Sequence, residues 1–358
     1  MTTVTVYRST DASAPTLSGT AGTLVTVLDA CLVNGYGSKG AAGWTKAFSG
    51  TNQAAYRNSA VDGTGFYVNV NDNSAGTGGA KEALMTGYEV MTALGTGTGQ
   101  FPTAALLASG VLTLRKSTTA DGTARAWTIV ADDTVFYMFT ETGDFASPTI
   151  TFAFMFGDIF SYRANDAYRC MMIGRNAQNN ATVQFEPFAA LLATHGTMLS
   201  STIIGHYMPR TWSGLGGCIT VGKHIDQTRA APNPGNNSGT GIAGTGCAGA
   251  SGMTLFGNGL LNTNIGAFYN ATTNFPYPNG PDGGLYMCPV WIHHNGVIRG
   301  YLKGCWSPLQ HLPLNHNDTF SGTGNLSGKS FVVQSVLGAN NGNNAQAMVF
   351  IETSSTWS

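Results

Sequence analysis

Two apolar runs in the middle of the chain constrain the fold more than any other feature. Ala126–Val130 and Val135–Thr140 are rich in β-branched and aromatic residues and flank Ala131-Asp132-Asp133-Thr134, a spacing that predicts a β-hairpin. Thr149–Phe156 and Tyr168–Ile173 continue the pattern as a meander. Phe136, Tyr137, Phe139, Phe152, Phe154, Phe156, Phe160 and Tyr162 crowd this stretch, and are expected to pack across strands and fill a core between stacked sheets. Near the C-terminus, Leu285–His293, Gly296–Cys305, Ser330–Val336 and Met348–Thr353 read as further strands.

The N-terminal third is more mixed. Thr3–Tyr7 alternates β-branched and polar residues as a strand does. From Gly22 to Asn34 the positions Leu24, Val27, Leu28, Cys31 and Leu32 recur at helical spacing, and Asn34-Gly35 supplies a stop. Gly43–Phe48 and Gln53–Arg57 read as strands joined by the turn Ser49-Gly50-Thr51-Asn52, followed by a strand at Phe66–Val70. Lys81–Leu94 fits a helix or a strand, with Gly87 weakening the helix. Phe188–His195 reads as a short helix. Residues 223–284 are dominated by Gly, Asn, Pro and Ser, which bury little and predict a loop or an insertion ordered by a partner.

The expected architecture is therefore mainly β (α+β). It has an antiparallel β-sandwich or barrel-like body at residues 124–358, a small α/β N-terminal region at residues 1–115, and a long Gly/Asn-rich insertion at about 223–284.

Composition then narrows the function. Hydrophobic residues make up 42% of the chain, enough for a large core, yet charged residues only 10%, against about 25% in ordinary soluble domains. Polarity comes from 48 glycines and from Ser, Thr and Asn. Such a surface suits burial against a partner, where stranded charges would be costly to desolvate. No apolar run reaches the roughly 18 residues of a spanning helix, and residues 1–13 lack a signal-peptide pattern, so no membrane insertion is expected. A net charge of −1 without a basic run gives nucleic acid no electrostatic footing. Six scattered cysteines read as reduced, buried thiols rather than a disulfide framework.

Apparent chemical motifs fail on spacing or setting. In Gly322–Ser330 three residues (from Gly324) or five (from Gly322) separate a glycine from Gly328-Lys329-Ser330, where a phosphate loop needs four between, and a strand-like run follows instead of a helix. Cys288, His293, His294 and Cys305 offer metal-ligand chemistry without a close ligand pair, and adjacent His293 and His294 on a strand would face opposite sides. No Gly-x-Ser-x-Gly elbow occurs. Asp132, Asp133, Asp158 and Asp166 sit near turns, where carboxylates cap backbone. No catalytic, cofactor or metal residue is assigned, and no enzymatic activity is expected. Trp212, Tyr277, Trp291 and Trp306 are the candidate contacts for a glycan or a protein partner.

Several stretches resemble a family of tailed-bacteriophage virion and tail-associated structural proteins. They are Leu24–Lys39 with Gly43–Arg57, Trp127–Thr142 with Gly157-Asp158 and Asp166-Ala167-Tyr168, then Asp282–Val290, Arg299–Trp306 and Phe350–Thr353. The resemblance implies a structural subunit of tail, baseplate, fibre or head, located in the virion and made in the host cytoplasm. Its partners would be other virion proteins and copies of itself. The alternative expectation is a receptor-binding module that recognises host surface glycans.

Overall fold

The computed structural model describes residues 3–76, 78–142, 152–176, 205–221, 275–276, 278, 280–294, 297–308, 310–311, 314–335, 348–354 and 356–357. Its centre is a seven-stranded antiparallel sheet in the order Thr5–Arg8, Ala126–Ala131, Val135–Glu141, Phe152–Asp158, Cys170–Ile173, His206–Met208, Ile219–Thr220. The predicted hairpin and meander are its middle strands, with Phe136 opposite Ala131 and Tyr137 opposite Met155.

Strict alternation divides these strands between two cores. Phe136, Met138, Phe152, Phe154, Phe156 and Met172 face one side, while Val135, Tyr137, Phe139, Ala153, Met155 and Ile173 face the other. Because both faces are covered, the runs are apolar throughout instead of alternating with polar residues, as in any strand buried on two sides. Each large side chain removed from water contributes about 1.5–3 kcal/mol, so these few strands hold much of the driving force for folding.

On the first face lies a six-stranded antiparallel sheet, ordered Arg175–Asn176, Leu112–Arg115, Glu82–Tyr88, Tyr67–Asn71, Gln53–Arg57, Thr45–Gly50, together with the helix Thr23–Leu28. The helix buries Leu24, Val27 and Leu28, and widens into a π-helical turn at Asp29–Asn34 that buries Cys31 and Leu32. It ends at Gly35, whose φ is 76°. Its first turn is capped from a distance: the Leu24 N–H donates to Asp72 Oδ2 at 2.9 Å.

On the second face lies another six-stranded sheet. Its path runs Phe160–Ser161, Val297–Pro308, Met348–Glu352, Ser330–Ser335, Thr319–Ser321, and Met287–His294 pairs with Val297–Pro308. The body is therefore sandwich-like, a central sheet between two others, and none of these sheets closes into a barrel among the described residues.

Pairings also cross the 115–124 division. Thr5–Arg8 is an edge strand on Ala126–Ala131, and Arg175–Asn176 pairs with Leu112–Arg115. Lys81–Leu94, open between helix and strand, forms the strands Glu82–Tyr88 and Val90–Ala93. Gly87 is needed there because the Phe101 ring lies across it, where a Cβ would sit 2.5 Å from the ring. The expected helix at Phe188–His195 and almost all of the 223–284 insertion lie outside the described residues.

Candidate functional site

One end of the second sheet carries an aromatic platform. Strand Phe160–Ser161 pairs with Gly300 and Tyr301, and the two chains approach so closely that a Cβ on Gly300 would meet the Phe160 carbonyl. That contact stacks the Phe160 ring on Tyr301, with centroids 4.7 Å apart and planes 18° from parallel. Tyr162 sets its edge against both, at 5.9 Å. Trp291, opposite Tyr301 on the neighbouring strand, donates its indole N–H to the Tyr162 hydroxyl at 3.0 Å. One residue on, the Arg163 guanidinium lies over the Trp212 ring, 4.9 Å from its centroid. Phe160 is 38% exposed, Trp212 42% and Tyr162 57%, so these rings face solvent rather than the core.

A buried ion pair holds this surface in place. Arg299 donates to both carboxylate oxygens of Asp166 at 2.8 Å, and also to the carbonyls of Tyr168 and Arg210 at 2.7 Å. The two side chains are 2% and 0% exposed. Asp166 also accepts from the Ser161 hydroxyl at 2.8 Å and the Tyr168 N–H at 3.1 Å. Burial alone would raise the Asp166 carboxyl, but the hydrogen bonds and charge of Arg299 bring it below the usual carboxylate range. One guanidinium thus ties the 161–168 loop to the segment leading into Trp212. Arg210 adds a bond of 2.6 Å to Glu89 and lies over the Tyr168 ring.

Several other charges are also turned inward. Lys116 and Asp72, both 0% exposed, pair at 2.5 Å, and Lys116 donates to the Thr20 carbonyl at 2.8 Å. Burial pushes Asp72 up and Lys116 down against the attraction between them. Glu82 receives Arg115 at 3.2 Å and Arg175 at 2.6 Å, joining three strands of one sheet. Asp158 accepts from Thr64 at 2.7 Å and Asn58 at 3.0 Å and pairs with Arg169; burial holds its carboxyl above the ordinary range against that pull. Asp132 caps its own turn, accepting from the N–H groups of Thr134 and Val135 at 2.7 and 2.8 Å. These carboxylates join segments of chain. Among the described residues, no three His, Cys, Asp or Glu side chains are placed to hold a metal.

Of the four aromatic residues singled out from the sequence, Trp212 and Trp291 belong to the platform. Trp306 sits elsewhere on the same sheet, half-buried and edge-on to Phe331 at 6.2 Å, in the cluster that includes Phe350. Tyr277 lies outside the described residues. Phe160 and Tyr162, expected as core fillers, are instead exposed. A local signal for this exists in Ser161-Tyr162-Arg163-Ala164-Asn165-Asp166, where small and polar residues end the apolar pattern. The segment 322–329 links the antiparallel strands Thr319–Ser321 and Ser330–Ser335, and Lys329 pairs with Glu352 at 2.7 Å. No protein-family model matches the chain, and no curated protein matches it.

Proposed function

We propose that the chain is a structural subunit of a bacteriophage particle that works by packing against other virion proteins, copies of itself included, and carries out no catalysis. One observation carries this reading: charges are scarce, and a good share of them is spent inside. Among the described residues, Asp72, Glu82, Arg115, Lys116, Asp132, Asp133, Asp158, Asp166, Arg175, Arg299 and Glu352 are all buried. Of the 35 charged residues in the whole chain, 17 basic and 18 acidic, these eleven are withdrawn from the surface, which leaves 24 in a chain of 358. A surface of Gly, Ser, Thr, Asn and aromatic groups can be covered by a partner with little desolvation cost. No helix among the described residues is long and apolar enough to cross a membrane. Origin in a phage, whether tail, baseplate, fibre or head, rests on the sequence resemblance.

The test is native mass measurement of the pure protein together with mass spectrometry of purified particles. Homo-oligomers and stoichiometric presence in particles are expected. A strict monomer absent from particles would sink the reading.

A second reading, a receptor-binding module for host surface glycans, is favoured by the exposed rings of Phe160, Tyr162 and Trp212 on a rigid support. Aromatic faces of this kind stack on the C–H faces of sugar rings. A glycan screen without hits would remove it.

A further inference from the structure

We infer that the platform takes a carboxylated saccharide, with Arg163 as the residue that recognises the acid group. This rests on the glycan reading of the same surface and assigns the class of sugar. Two polar groups at the platform have capacity to spare. The Tyr162 hydroxyl accepts from Trp291 Nε1, and its own O–H proton has no acceptor among the described residues. The Arg163 guanidinium has the Trp212 ring on one face and no carboxylate partner among the described residues. Arg115, Arg169, Arg175, Arg210 and Arg299 pair with carboxylates, and Arg57 and Arg125 donate to neighbouring carbonyl and hydroxyl groups, whereas Arg163 is the exposed arginine among the described residues.

The occupant follows from charge complementarity. A neutral sugar or an apolar peptide laid on these rings would cover a cation without pairing it, which costs free energy. A saccharide bearing a carboxylate stacks its C–H face on the Phe160–Tyr162 surface, accepts from the Tyr162 hydroxyl, and receives the guanidinium on its acid group. Arginine suits this role because its planar fork meets a carboxylate with two parallel N–H groups while its face stays on an aromatic ring. The Arg299–Asp166 pair fixes both loops beforehand, so little ordering is required on binding.

The experiment is calorimetric titration of the full chain with a uronic-acid oligosaccharide and with the same oligosaccharide after carboxyl reduction. The acid form is expected to bind about tenfold more tightly, the worth of one charge-assisted contact at a partly exposed site. Arg163→Gln should abolish that preference, so that the acid and reduced forms bind alike, with the melting temperature of the parent. Tyr162→Ala should weaken both sugars. Equal binding of the two by the unaltered protein overturns carboxylate recognition and leaves the glycan reading standing. Binding of neither overturns both.

Discussion

Asp166→Asn tests how much the frame behind the aromatic platform depends on a single charge. The substitution keeps the shape of the side chain and one acceptor oxygen, but removes the carboxylate that receives Arg299 through two bonds of 2.8 Å. Arg299 is then left buried without an anionic partner, with neutral acceptors such as the carbonyls of Tyr168 and Arg210. Stripping the partner from a buried ion costs about 3–5 kcal/mol, and the retained oxygen argues for the lower end. For a chain of this size roughly 2 °C of melting temperature accompanies each kcal/mol, so a drop of about 6 °C is expected by scanning calorimetry. Asp166→Asn with Arg299→Met should lose less than Asp166→Asn alone, because no orphaned charge remains.

The deficit should also depend on pH. The folded-state pKa of Asp166 lies below its ordinary value, so its contribution is fully present above the unfolded carboxylate value of about 3.9. It is lost as pH falls through the folded value. The gap between Asp166→Asn and the parent protein should therefore close in acid. A melting temperature within about 2 °C of the parent at pH 7 would refute the reasoning.

Three further outcomes follow from the geometry. Lys116→Met leaves Asp72 fully buried without its cation, and should cost about 3–5 kcal/mol in urea denaturation; a loss under about 1 kcal/mol would show the pair to be dispensable. Gly157 has φ 139° and a Cβ there would lie 2.3 Å from the Thr134 carbonyl, so Gly157→Ala should destabilise by at least about 2 kcal/mol, and an unchanged denaturation midpoint would contradict it. Asp158 has a raised folded-state pKa, so its contribution is greatest below the unfolded value and is lost as pH rises through the folded one. Asp158→Asn should therefore improve relative to the parent as pH rises from acid toward neutrality, and a difference flat with pH would count against this.

Much of the core could be read from the sequence because alternation is a local property. Phe136 through Phe139 assign themselves to opposite faces once the strand is recognised, and the stripe from Leu24 to Leu32 marks the buried side of its helix. Layering could not be read in the same way. Nothing near Thr5 says that it pairs with Ala131, and Leu112–Arg115 is too short and too mixed to signal that it joins Glu82–Tyr88 and Arg175–Asn176. The platform was hidden for a related reason. Phe160 and Tyr162 continue a series of core aromatics, and only the turn that Arg299 pins through Asp166 swings them outward. That partner lies 133 residues away along the chain, beyond any local pattern. Trp212 and Trp291 were legible as candidates, but their association with Tyr162 and Arg163 was not.

The central claim is that this charge-poor surface exists to be covered, and a reconstruction of the purified phage particle tests it most directly. The account predicts density for this chain in several symmetry-related copies, each burying more than about 1,000 Å² against neighbours on faces lacking charged residues. Particles that contain no density for the chain, or that hold it only by a small, wet, charged contact, would contradict it.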